Sequence, residues 1–270
     1  MRILALALLA LLIADGAAAD EADPPLRVCA DPNNLPLSDR DGAGFENRIA
    51  EVIADQLGRR VEYTWWPQRR GFIRNTLKAE TCDVLIGVPA GLDMARTTKP
   101  YYRSAFAFVT RAADQLDLRS LDDERLARLR IGVTLIGDDG ANSPPAHALA
   151  RRGIVDNVIG YHAIGDYGEA SPAAASVRAV AAGEIDVAIL WGPIAGPAAK
   201  ASEVPLVVTP IAEAEDDGLP MSFAIAMAVR HEDKALARSL ERALKKKRRA
   251  IEKILDDAGV PRLPLQERKR

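Results

Sequence analysis

The chain has 270 residues, with 36 Lys plus Arg against 38 Asp plus Glu, 48% apolar residues and two cysteines. A formal net charge of −2 argues against nucleic-acid binding, which normally leaves a strongly basic balance, and the apolar content argues against disorder. The length allows one large domain or two lobes of about 100 to 150 residues each.

The first twenty residues have the pattern of a secretory signal peptide. Arg2 precedes an eleven-residue apolar run over residues 3–13, and the small residues Ala17, Ala18 and Ala19 follow it. The apolar run is shorter than the ~20 residues that a membrane-spanning helix needs, and no later segment is longer. We therefore expect residues 1–19 to be a signal peptide, cleaved after Ala19 on export, and we expect no membrane span.

Export into an oxidising compartment predicts that Cys29 and Cys82 form a disulfide bond. Each cysteine lies in a short apolar run typical of a buried parallel strand, over residues 27–30 and 82–86. Neighbouring strands can bring the two Cα atoms within disulfide range. A metal site is not predicted, because the chain has no C-x-x-C motif and its three His show no ligand spacing.

Strands and amphipathic helices alternate along the chain, which predicts an α/β fold. The first unit has strands at 27–30, 61–66 and 84–88 with helices at 45–57 and 72–78. After a polar stretch at 114–128, the second unit has strands at 131–135, 158–161 and 187–190, with one helix opened by Ser143-Pro144-Pro145 and another at 173–182. A strand at 223–229 and a long helix at 234–257 are expected to complete the first unit.

Two such units predict two lobes, each with a doubly wound sheet. We expect residues 25–110 and 210–262 to form lobe 1 and residues 111–209 to form lobe 2. Crossing segments near Thr110 and Thr209 would then join the lobes across a hinged cleft. This is a binding geometry, and no Ser-His-Asp set, H-E-x-x-H helix or phosphate loop is found, so we expect neither catalysis nor a cofactor.

Ligands of doubly wound sheets bind beyond the carboxyl ends of the strands, so the loops there are the expected functional sites. These loops are residues 31–36, 67–71, 89–92, 137–143, 165–169 and 191–193. The candidate cleft or partner-binding residues in and beside them are Asp31, Asn34, Trp66, Arg69, Arg70, Asp138, Asp139, Asn142 and Trp191.

The acidic pair Asp138 and Asp139 has two interpretations. With Asn142 it resembles a cation site, but the spacing lacks the alternating oxygen ligands of a calcium loop. The alternative is that Asn142 or Ser143 caps the helix that Pro144 opens, with the acids near the positive end of the helix dipole.

Alternatives remain open for other candidates as well. Arg69 and Arg70 precede an expected helix start and so oppose its dipole, which favours either an anionic partner or a solvated, ion-paired role. Trp191, at a strand end, would either plug the cleft or anchor an interface. The basic run 245–249 is either an exposed face of the last helix or a docking patch for an acidic protein.

Several segments resemble the family 3 solute-binding proteins of ABC importers, and within them the MxaJ/XoxJ group of quinoprotein methanol dehydrogenase-associated periplasmic proteins. The segments are 27–32 (RVCADP), 44–46 (GFE), 68–77 (QRRGFIRNTL), 82–84 (CDV), 87–91 (GVPAG), 100–102 (PYY), 136–149 (IGDDGANSPPAHAL), 153–158 (GIVDNV) and 190–193 (LWGP). The resemblance covers essentially the whole mature chain. It implies a two-lobed periplasmic binding protein fold of type II.

The resemblance also implies a function. The chain would be a periplasmic helper that binds the large subunit of methanol dehydrogenase in its apo form, with the associated cytochrome c as a second partner, during assembly or activation with pyrroloquinoline quinone (PQQ) and a metal. It would not itself be an enzyme. The alternative is an ABC-transporter receptor for a small organic solute.

The chain departs from amino-acid-binding relatives at the ligand clamp. Those relatives carry an Arg about nine residues before the Pro-Tyr-Tyr, which holds the ligand carboxylate by a bidentate pair. Gly91 stands at that position here, and Trp191-Gly192 replace the acid expected after Leu190 to hold the ammonium group. The loss of both groups argues against amino-acid transport.

Overall fold

The computed structural model describes residues 24–136, 141–162 and 171–265. Its strands are β1 (Leu26–Ala30), β2 (Asn33–Asn34), β3 (Ser38–Asp39), β4 (Val61–Trp65), β5 (Val84–Pro89), β6 (Arg96–Thr97), β7 (Tyr102–Arg111), β8 (Ile131–Ile136), β9 (Ala141–Asn142), β10 (Val158–His162), β11 (Val187–Trp191), β12 (Leu206–Pro210), β13 (Glu215–Asp216), β14 (Leu219–Pro220) and β15 (Ser222–Val229). Its α-helices are α1 (Phe45–Gln56), α2 (Phe72–Asn75), α3 (Pro144–Arg151), α4 (Ala175–Ala181), α5 (Gly192–Lys200) and α6 (Lys234–Ala258). Three short 3₁₀-helices are η1 (Ala112–Asp114), η2 (Glu124–Arg128) and η3 (Pro172–Ala174).

One curled, mixed sheet runs through the molecule in the strand order β10-β8-β11-β7-β15-β5-β1-β4. Strands β1, β4 and β5 are parallel and belong to the first lobe, whereas β8, β10 and β11 are parallel and belong to the second. Strand β7 is shared, because residues 102–105 pair antiparallel with β15 and residues 106–110 pair antiparallel with β11. The predicted α/β, two-lobed class is confirmed, and the two halves of the sheet are continuous.

The core of the first lobe forms where α1 and α6 pack on the sheet. Phe45, Ile49 and Ile53 recur at helical spacing on α1 and are buried. They pack in one cluster with the apolar stripe of α6, which includes Leu240 and Leu255. The α1 and α6 bounds agree with the sequence prediction to within one residue at each end.

Several elements differ from the sequence expectation. Helix α2 is one turn long and ends at Asn75, three residues before the expected end. The expected loop 191–193 is instead the last residue of β11 and the start of α5, with Pro193 in the first turn, where a missing N–H is tolerated. Strands β7 and β12, antiparallel to each other, were read from the sequence only as crossing segments.

The predicted disulfide between Cys29 and Cys82 is confirmed, with a Cα–Cα distance of 5.5 Å. Cys29 lies in β1, and Cys82 lies two residues before β5, the parallel neighbour of β1. Asp83 stands beside the bond and accepts hydrogen bonds from Arg27 and Arg230. Burial alone would raise the pKa of Asp83, but these hydrogen bonds hold it below its ordinary value. Among the described residues, no helix combines the length and apolarity needed to cross a membrane.

Candidate functional site

The carboxyl ends of β1 and β5, where a solute would be expected, surround a cavity of only about 20 Å³. Asp31, directly after β1, lines this cavity and is buried. Its two carboxylate oxygens accept hydrogen bonds from the main-chain N–H groups of Asn33, at 2.8 Å, and Gln68, at 2.6 Å. Asp31 therefore holds two loops of this chain together, and its oxygens are already engaged.

Asn34 extends the same arrangement. Its side-chain amide donates to the side-chain oxygen Oε1 of Gln68 at 2.9 Å, and the Ser38 hydroxyl donates to the main-chain carbonyl oxygen of Asp31 at 2.8 Å. The β2–β3 hairpin that carries Asn34 also packs against η3 of the second lobe. The candidates Asp31 and Asn34 thus build the wall between the lobes.

Glu46, in the first turn of α1, lines the same small cavity and was not singled out by the sequence reading. The residue keeps some exposed surface, but its carboxyl group lies against Gly87. It fills the space that a side chain on residue 87 would occupy. Burial raises the pKa of Glu46 to about 7. An acid in a first helical turn is common as a dipole partner, so the sequence carried no signal that this one is buried.

Trp191, at the end of β11, fills the space between the two lobes. Its ring meets Phe106 and Phe223 edge to face, with centroids 5.5 Å and 5.7 Å away. Trp191 and Phe223 contact the apolar cores of both lobes. Of the two interpretations of Trp191, the geometry favours the plug.

Close backbone contact joins the lobes beside this aromatic cluster. A Cβ on Gly192 would lie 2.5 Å from the Ala105 carbonyl oxygen, and one on Gly196 would collide with the carbonyl oxygen of Gly259, which follows α6. The Lys200 ammonium donates to the Asp257 carbonyl oxygen at 2.7 Å. Helix α5 of the second lobe therefore lies directly on the end of α6 of the first.

A groove of about 790 Å³ opens between the lobes next to this contact, and we call it the interlobe groove. Small and apolar side chains dominate its lining, together with three charged residues. The residues are Leu35, Pro36, Ala43, Arg48, Ser171, Ala174, Val177, Arg178, Ala181, Ala182, Pro197, Ala198, Ala201, Ser202, Glu203, Val204 and Ala258. The buried Nε of Arg48 has no acceptor within the part of the chain that the structure describes.

The other predicted candidates that the structure describes line neither of these two spaces. Trp66 is 39% exposed at the end of β4, and Arg69 and Arg70 are exposed in the turn before α2. Asn142 is exposed, and Ser143 holds the N-cap position of α3 without a side-chain capping bond. Asp138 and Asp139 lie outside the described residues. Within the described ranges, no cluster of three or more His, Cys, Asp or Glu is arranged to hold a metal.

Comparison with known proteins places the chain in a family. No protein-family model matches it. Protein MoxJ of Methylorubrum extorquens is 35% identical over 265 residues, which cover 92% of this chain and 86% of MoxJ. The chain belongs to the MoxJ family. MoxJ of Paracoccus denitrificans is 32% identical over 270 residues, which cover 94% of each chain.

Solved structures agree with the MoxJ assignment. The periplasmic binding protein XoxJ from Methylobacterium extorquens AM1 is 38% identical, with a TM-score of 0.73 over 89% of this chain and 100% of XoxJ. MxaJ from Methlophaga aminisulfidivorans MPT is 28% identical, with a TM-score of 0.77 over 88% of this chain and 100% of MxaJ. An ancestral arginine-binding protein, 21% identical with a TM-score of 0.58, shares the fold alone. This MoxJ-family chain therefore has a periplasmic binding protein fold.

Proposed function

We propose that this MoxJ-family chain is a periplasmic accessory protein of methanol oxidation. It binds the large subunit of a PQQ-dependent methanol dehydrogenase in its apo form, with the associated cytochrome c as a second partner, and assists assembly or activation. The chain itself performs no catalysis in this proposal. The observation that carries it is that the carboxyl ends of β1 and β5 leave only about 20 Å³, whereas an open, apolar interlobe groove measures about 790 Å³.

A small-molecule receptor needs an enclosed space for its solute. Small-molecule sites commonly measure about 300 to 1,000 Å³, whereas the cavity at the strand ends measures about 20 Å³. The loops around it are engaged with one another through Asp31, Asn34 and Gln68. Gly91 and Trp191 also stand where amino-acid receptors need a cation and an acid. These features favour a binding fold that uses its surface.

The interlobe groove suits a protein segment. Its walls come from both lobes, chiefly from α4 and α5 of the second and the 35–48 segment of the first. Apolar side chains would bury against these walls, while Arg48 supplies a guanidinium to the lining. A carboxylate on the bound segment would pair with that guanidinium by a charge-assisted hydrogen bond.

The test compares two valines of similar exposure. Val204 lines the interlobe groove and is 37% exposed, whereas Val207 on β12 is 44% exposed and does not line it. Titration of the apo dehydrogenase with each purified variant should show that Val204→Glu weakens binding by about tenfold or more, and Val207→Glu by less than about twofold. No complex with apo or holo enzyme, or equal losses in both variants, would contradict the proposal.

A solute screen by thermal unfolding tests the alternative, a transport receptor. A true solute present at a hundredfold excess over its dissociation constant stabilises the folded state by about 2.7 kcal/mol. We expect no amino acid or small organic acid to raise the unfolding temperature. A clear rise with one of them would favour the receptor.

A further inference from the structure

A second groove, of about 610 Å³, lies on the first lobe along α6. We call it the basic groove. It combines five cationic residues and one acid with an apolar floor. The lining residues are Lys99, Pro100, Tyr101, Arg238, Glu241, Arg242, Leu244, Lys245, Arg248, Ile251 and Leu265. It shares no lining residue with the interlobe groove.

The charges of the basic groove come mainly from one face of α6. Arg238, Arg242 and Lys245 follow one another at spacings of three and four residues, which places them in a row along the helix. All three are exposed, and among the residues that the structure describes none forms an ion pair. The one acid of the groove, Glu241, already accepts the main-chain N–H of Lys99 at 3.1 Å. Arg248 pairs with Glu252 at 2.8 Å and Glu241 offsets one further cation, so the lining keeps a net positive charge that comes from the row and Lys99.

The floor of the basic groove is apolar. Leu244 and Ile251 continue the buried stripe of α6, and the ring of Tyr101 is fixed because its hydroxyl donates to the Ile86 carbonyl oxygen at 2.9 Å. Leu265, beyond α6, closes one side with 41% of its surface exposed. An occupant with only charged side chains would leave this floor in water.

We propose that the basic groove binds an acidic amphipathic segment of a partner protein. Carboxylates on one side of the segment pair with the row of cations, and apolar side chains on the other side cover Tyr101, Leu244 and Leu265. The groove is concave and has a defined floor, which suits a single peptide segment better than a flat lipid surface. The same groove on a second copy of the chain carries like charge. The 266–270 segment of this chain has three cations and one acid, so it does not match the charge of the row either.

The experiment uses the purified chain and a fluorescent synthetic peptide that, as a helix, has Glu on one face and Leu on the other. Fluorescence anisotropy measures binding of the peptide to the chain. Arg238→Glu with Lys245→Glu should weaken binding by about tenfold or more. Lys246→Glu with Arg249→Glu is the matched control, because it makes the same charge change on the same helix outside the groove, and it should weaken binding by less than about threefold. Circular dichroism and the unfolding temperature check that both variants fold.

Three further measurements distinguish other occupants. A peptide with Gln in place of Glu, or with Ser in place of Leu, should bind at least about tenfold more weakly than the parent peptide. Vesicles of phosphatidylethanolamine and phosphatidylglycerol should not cosediment with the chain. Analytical sedimentation should also show no dimer of the wild type that is lost in the Arg238→Glu, Lys245→Glu variant. Equal loss in the two double variants, binding of the vesicles in place of the peptide, or such a dimer would overturn the proposal.

Discussion

Glu46 shows how single side chains occupy the place where a solute would otherwise lie. Its carboxyl group sits beneath Gly87 at the edge of the small cavity, near Asp31 and Ser38. Asp31 is fully engaged by main-chain donors, whereas Glu46 is governed by burial, which favours its neutral form. Two carboxyl groups therefore line one small space, and Asp31 is the one that accepts hydrogen bonds from the main chain.

Glu46→Gln should change the pH dependence of stability. In the folded state the pKa of Glu46 is raised from 4.5 to about 7, so between these values the folded state holds a proton that the unfolded state releases. The free energy of unfolding therefore falls as pH rises through this window, and the Gln variant, which keeps the shape without the charge, should gain about 3 kcal/mol over the wild type above it. Urea titrations at pH 5 and pH 8 measure the free energy of unfolding of the wild type and of the Gln variant. The same difference between the two proteins at both pH values would contradict the raised pKa of Glu46.

The disulfide is a second feature at the residue scale. It closes a loop with a sequence separation of 53 between two buried cysteines. Cys29→Ala with Cys82→Ala should lower the free energy of unfolding by about 4 kcal/mol, because the unfolded chain regains the loop entropy. Urea titration of the wild type with and without reductant provides the control, since reductant should destabilise the wild type and leave the double variant unchanged.

At the scale of elements, α5 determines how closely the lobes approach. The glycines at 192 and 196 leave the helix without side chains where it meets β7 and the end of α6. The Ser104 hydroxyl donates to the Pro261 carbonyl oxygen at 2.6 Å, so the segment after α6 is held at the same junction. The contact relies on main-chain atoms, which cannot move aside as a flexible side chain would.

Gly196→Ala tests this contact, because helix propensity and packing predict opposite changes in stability. Helix propensity alone predicts that Ala stabilises an α-helix by about 1 kcal/mol relative to Gly. The Cβ would meet the Gly259 carbonyl oxygen, so we expect the opposite sign, a loss of about 2 kcal/mol, together with a larger radius of gyration as the lobes separate. Denaturant titration and small-angle X-ray scattering measure the two effects, and a stabilised variant of unchanged size would contradict the inference.

At the scale of the whole molecule, a shared sheet and an aromatic cluster connect the cores of the two lobes, so we expect the lobes to unfold together. Strand β7 pairs with strands of both lobes, and Trp191 and Phe223 touch both apolar clusters. This connection is where a hinge would lie in a solute receptor, and here it is packed. Binding partners are therefore expected to meet a preformed surface.

Trp191→Ala should weaken the connection between the lobes. Loss of the ring removes contacts from both cores, and we expect a destabilisation of about 3 kcal/mol. Calorimetry should also show a calorimetric enthalpy that exceeds the van't Hoff enthalpy, as separate lobe transitions require. Trp66→Ala is the control and should destabilise the chain by less than Trp191→Ala, because Trp66 is 39% exposed and is not part of the aromatic cluster between the lobes. A single two-state transition in the Trp191 variant would count against this account.

Local periodicity made much of the fold predictable. The helical spacing of Phe45, Ile49 and Ile53 and the apolar runs of β1, β5 and β8 are properties of the chain itself, so their elements agree with the structure to within one or two residues. Export and an even cysteine count likewise predicted the Cys29–Cys82 bond. The limits of the two lobes and the roles of the exposed candidates, Trp66, Arg69 and Arg70, stay predictions.

The sequence by itself determined the α/β class and the alternation of strands and helices, because composition and periodicity act locally. The signal-peptide pattern and the even cysteine count predicted the disulfide, and the resemblance to amino-acid-binding relatives implies the missing solute clamp. Only the tertiary structure decided that β7 serves both lobes, that α5 begins directly after Trp191, and that Glu46 is buried under Gly87. Each of these depends on residues far apart in the chain. Packing between such residues leaves only about 20 Å³ at the carboxyl ends of β1 and β5, with the interlobe groove and the basic groove elsewhere.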